Sequence, residues 1–86
     1  MSDCLHHLDA VKVKQSAFAI QFGERVRELR EGRGLSQEAL AFEAGLHRTH
    51  ISLIETAKRS VRLETIEALA RALKVQPSEM MPPLKR

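Results

Sequence analysis

The chain is predicted to fold as a compact all-α domain of five helices, preceded by a short N-terminal extension. Three observations predict this. Apolar residues recur at three- and four-residue spacing in successive segments, which places them on one face of a helix. Gly and Pro punctuate those segments. No run of alternating apolar and polar residues marks a strand, and the sequence has no internal repeat or low-complexity tract.

Residues 1–17 read as a partly ordered extension. Leu5, Leu8 and Val11 repeat at three, and Asp3 suits the cap of a short helix. The domain itself spans 18–86. Its first helix, 18–31, carries Phe18, Phe22, Val26 and Leu29 on one stripe and ends at Gly32 and Gly34. Ser36 caps the second helix by accepting backbone N–H bonds from its first turn. That helix buries Leu40 and Ala41, the small side chain letting its neighbour cross closely. Gly45 closes it in the left-handed conformation. The third helix, about 47–56, is anchored by Ile51 and Ile54, with Leu46 entering the core just before it. After the loop 57–62, Leu63, Ile66, Leu69, Ala70 and Leu73 form the buried stripe of a fourth helix. Pro77 starts a very short fifth helix, and Pro82 and Pro83 stop it. Met80, Met81 and Leu84 have no obvious core partner.

Eighty-six residues make one small domain. Such a chain buries only about 60% of its unfolded surface, so association with a second copy would help it. The net charge is +3, and all of it is accounted for by positions 47–62, where Arg48, Lys58, Arg59 and Arg62 face a single acid, Glu55. Basic charge concentrated on one segment suits a polyanionic partner. Cys4 is the only cysteine, so no intrachain disulfide forms. With neither a membrane span nor a secretory signal, the chain is expected to be cytoplasmic.

On a helical projection, Arg48, Thr49, Ser52, Leu53 and Thr56 fall within one arc, opposite Ile51 and Ile54. A helix held by one face, with short polar side chains on the other, can lie in a DNA major groove. Arg48 is the strongest base reader, because its planar fork suits O6 and N7 of guanine; a phosphate clamp is its alternative. Thr49 and Ser52 can reach a base or a phosphate. Leu53 can touch only a thymine methyl. Gln37 and the free N–H groups of its helix make a small anion site. His47 and His50 flank the DNA face, where His50 is expected to donate to a phosphate. No nucleophile elbow, phosphate-cradling glycine loop or paired carboxylates point to an enzyme. Neither His47 with His50 nor Cys4 with His6 and His7 completes a zinc ligand set. No cofactor, membrane partner or small-molecule effector is expected.

The stretch GERVRELREGRGLSQEALAFEAGLHRTHISLIETAKR, followed by LETIEALARAL, resembles the phage-repressor class of helix-turn-helix proteins, which includes lambda repressor and Cro. The resemblance covers roughly 22–81. It implies a lambda-repressor-like DNA-binding domain with the helix-turn-helix at helices 2 and 3. Small size and the lack of a second domain bring it near the controller proteins of restriction–modification systems. By this resemblance Gln37 contacts a DNA phosphate and braces a base reader. Arg48, Thr49, Ser52 and Leu53 enter the groove, Lys58 and Arg59 grip the backbone, and Arg30 pairs with Glu55 structurally.

Four positions depart from the family pattern. Ala57 stands where glycine is common after the recognition helix. A left-handed alanine costs roughly 1–2 kcal/mol, which leaves open a different closure of that loop. Arg62 replaces a Ser or Thr cap, Leu53 a long polar residue, and His50 a tyrosine.

The expected function is that of a transcription regulator binding double-stranded DNA as a homodimer on a roughly palindromic operator. Met80, Met81 and Leu84 are the candidate dimer interface. The alternative is a protein–protein module such as an antitoxin, with 1–17 as its binding segment.

Overall fold

The computed structural model describes residues 16–83. The N-terminal extension and Leu84 therefore lie outside the described residues, apart from the last two positions of the extension. Among the described residues four α-helices follow in order: α1 (Ala17–Gly32), α2 (Gln37–Ala44), α3 (Arg48–Glu55) and α4 (Leu63–Leu73). The expected fifth helix is instead a single 3-10 turn at Pro77–Glu79. Pro82 and Pro83 follow too soon, and each restricts the residue before it, so only i to i+3 bonds form here.

Local signals set most boundaries. Ser16 Oγ accepts the Ala19 N–H at 3.0 Å and starts α1. Ser36 does the same for Ala39 at 3.0 Å and starts α2. Gly45, at φ +72°, closes α2 as expected, and the Leu46 N–H donates to the Ala41 carbonyl at 2.8 Å.

The core is built from Phe22, Val26, Leu40, Ile51, Ile54, Leu69, Leu73 and Met80, all nearly or fully shielded from solvent. Two expectations are corrected here. Leu63 is 80% exposed, while Thr65 is buried in the stripe with Leu69, Ala72 and Leu73. Leu63 lies two residues before Thr65, about 160° round the helix from it, so both cannot face inward. Met80 has a core partner after all: it is completely buried against the main cluster, whereas Met81 is partly buried at its margin. The turn that begins at Pro77 is what swings Met80 inward. It is held to α1 by Arg25 Nε, which donates to the Glu79 carbonyl at 2.9 Å.

Two helices approach closely at Gly23, where α1 meets the end of α3. A Cβ at this position would stand 2.6 Å from the Ile54 carbonyl oxygen and 2.8 Å from that of Glu55. Gly23 thus sets how deeply α3 seats on the core. The sequence assigned close crossing to Ala41 alone, which is indeed buried.

Candidate nucleic-acid interface

Helix α3 is fixed by its inner face. Ile51 is fully buried and Ile54 nearly so. On the opposite side Arg48, Thr49 and Thr56 are exposed, and Ser52 and Leu53 are half-buried. The five residues placed on one arc by the sequence therefore share a solvent-facing surface. Thr56 turns its hydroxyl back and donates to the Ser52 carbonyl at 2.8 Å, which leaves Arg48, Thr49, Ser52 and Leu53 as the candidate reading face.

His47 holds a position the sequence did not give it. It is the N-cap of α3, and its Nδ1 accepts the Thr49 N–H at 3.2 Å. A neutral imidazole serves here in place of the usual hydroxyl or carboxylate. The cap stands at the helix end where Arg48 also emerges. Arg48 Nε lies 3.9 Å from Oε2 of Glu38 on α2, a loose and solvated pair.

Behind the reading face lies a buried polar network. Arg30 Nε donates to Glu55 Oε2 at 2.7 Å, and Arg30 Nη2 donates to Glu55 Oε1 at 3.1 Å. Arg30 Nη1 also donates to the Leu35 carbonyl at 2.8 Å. The bidentate fork joins α1 to the end of α3, with side chains only 10% and 3% exposed. The hydrogen bond to Glu55 raises the Arg30 pKa; burial opposes this, and the charges of Glu55 and Glu31 reinforce it. Gln37, the first residue of α2, joins the network through Nε2, which donates to Glu55 Oε1 at 3.1 Å.

The loop after α3 closes through a left-handed residue despite its alanine. Ala57 adopts φ +58°, and the Lys58 N–H donates to the Leu53 carbonyl at 2.8 Å. Its methyl is buried, 5% exposed. Lys58 and Arg59 are exposed beyond it. Arg62 occupies the N-cap of α4 and makes no side-chain capping bond. His50 is half-buried, and its pKa is lowered first by burial and then by the charges of Arg59 and Arg62. Arg62 therefore joins the cationic group around His50. The sequence counts Arg62 in the basic segment and as a poor cap, but no spacing signal placed it beside His50.

Among the described residues, no cluster of three or more His, Cys, Asp or Glu side chains could hold a metal. None of their helices is long and apolar enough to cross a membrane.

The geometry matches that of known proteins. A family model described as a helix-turn-helix domain matches residues 21–81. The control protein C.BamHI of Bacillus amyloliquefaciens is 49% identical over 61 residues, covering 70% of this chain and 75% of the relative. The control protein C.MunI of a Mycoplasma species is 37% identical over 68 residues, covering 78% and 92% respectively. The crystal structure of the restriction–modification controller protein C.AhdI from Aeromonas hydrophila superposes with a TM-score of 0.75 at 45% identity. That match covers 77% of this chain and all of the other. The chain belongs to the family of helix-turn-helix DNA-binding transcriptional regulators that includes these control proteins.

Proposed function

We propose that this regulator binds a roughly palindromic operator as a homodimer, with α3 of each subunit in successive major grooves, and that it acts as a controller within a restriction–modification system. The observation that carries the DNA-contact reading is the division of α3: Ile51 and Ile54 are buried inside, while Arg48, Thr49, Ser52 and Leu53 face out. Gln37, His47 and His50 border this face, and Lys58 and Arg59 supply phosphate contacts from the loop beyond it. The controller role rests on likeness to the control proteins and to the solved controller structure.

The dimer contact is assigned to the side bearing Met81. There an open apolar recess of about 210 Å³ is lined by Phe18, Phe22, Ala57, Val61, Ile66 and Met81. Met80 supports that side from within the core and offers a second copy no surface.

Selection of bound duplexes from a random pool tests this reading. A recovered palindrome with half-sites about one helical turn apart supports it. Recovery of unrelated sequences, or sedimentation as a monomer at high micromolar concentration, contradicts it.

A further inference from the structure

The buried ion pair between α1 and α3 is not closed on itself. Glu55 Oε1 accepts from Arg30 Nη2 and also from Gln37 Nε2, each at 3.1 Å. Three helices thus meet at one carboxylate: Arg30 from α1, Gln37 from the first position of α2, and Glu55 from the last position of α3. An ionised carboxylate can only accept hydrogen bonds. The end of the Gln37 amide that faces Glu55 must therefore be its nitrogen. This fixes an orientation that a free glutamine would leave to chance.

We infer that Glu55 is a positioning residue for DNA contact, acting through Gln37. The amide nitrogen has two hydrogens. One is held by Glu55, and the other remains for a phosphate oxygen, which also only accepts. A flipped amide would present its carbonyl to the phosphate, and the two acceptors would repel. The inference rests on the DNA-contact reading of α2 and α3. It adds that the buried pair sets the polarity of a surface contact as well as the packing of the helices.

A double-mutant cycle on the selected duplex tests the coupling. Gln37→Met keeps the length and apolar stem of the side chain while removing its hydrogen bonds. In the native background it should weaken binding about tenfold, the loss of one hydrogen bond to a charged group. The loss should be similar at every salt concentration, because no cation is removed. In the Glu55→Gln background the same substitution should weaken binding less than about threefold, since that amide no longer dictates which end of Gln37 faces it. Equal losses in the two backgrounds overturn the inference.

If Glu55→Gln does not fold, the native protein decides by NMR. One of the two Gln37 side-chain amide protons should be shifted downfield and protected from exchange; two unprotected protons at free-glutamine shifts overturn the inference. If the native protein selects no duplex, the DNA-contact reading itself fails, a result distinct from an additive cycle.

Discussion

Gly23 and Ile54 meet so closely that no other residue fits at the first position: a Cβ there would lie 2.6 Å from the Ile54 carbonyl oxygen. The atom in the way is backbone, and it belongs to the helix that carries the reading face. The glycine is needed for this approach, because it sits in the middle of α1 in an ordinary helical conformation. Gly23→Ala should destabilise the domain by about 1–3 kcal/mol, as overpacking does. Chemical denaturation measures this. An unchanged midpoint would show that α1 and α3 can separate without loss.

Glu55→Ala removes the partner of a guanidinium whose side chain is only 10% exposed. Breaking a buried pair from one side costs roughly 3–5 kcal/mol, because the remaining charge stays buried. The melting temperature should fall sharply. A change in stability near zero would remove the Arg30–Glu55 pair from this account.

Two non-glycine residues take left-handed backbone, Ala57 at φ +58° and Lys74 at φ +59°. Their glycine substitutions should differ. Lys74 is exposed and closes α4, so Lys74→Gly relieves strain with little packing loss. A gain of about 0.5–1 kcal/mol is expected. Ala57 buries its methyl, and losing that contact forfeits about 0.8 kcal/mol, so Ala57→Gly should be close to neutral. Thermal melts of the two variants compare them directly, and equal gains would deny the Ala57 methyl its packing role.

His50 should give opposite pH trends for folding and for binding. Its folded pKa lies below 6.5, through burial and then the charges of Arg59 and Arg62. The unfolded chain therefore binds this proton more readily. The contribution of His50 to stability is present above pH 6.5 and is lost as pH falls towards the folded value. Bound phosphate would offset the neighbouring arginine charges and favour the protonated ring, so DNA affinity should tighten over the same fall. Titrations of the native protein and His50→Gln isolate the effect. Affinity that stays flat from about pH 8 to pH 6 would take His50 off the phosphate.

What the sequence made legible was local. Ser36 and Gly45 announce the ends of α2 through their own chemistry, and Ile51 with Ile54 show the inner face of α3 by spacing alone. Sequence spacing misleads where a distant partner decides. Leu63 fits the spacing of α4, but Thr65 takes the inward place. Met80 looks stranded among prolines until the 3-10 turn carries it under the core. Gly23 reads as one weak helix former among good ones, because the carbonyl it accommodates lies 31 positions further on. The contact from Gln37 to Glu55 spans 18 positions, and no pattern in either helix predicts it.

The central claim is that the outward face of α3 reads bases, with Arg48 as its strongest reader. Duplex selection with Arg48→Ala, set beside the native protein, tests it most directly. Preference should relax at one position in each half-site, by roughly 1–3 kcal/mol, with the other positions retained. Uniform weakening on every duplex, with the sequence preference intact, would make Arg48 a phosphate clamp and contradict the claim.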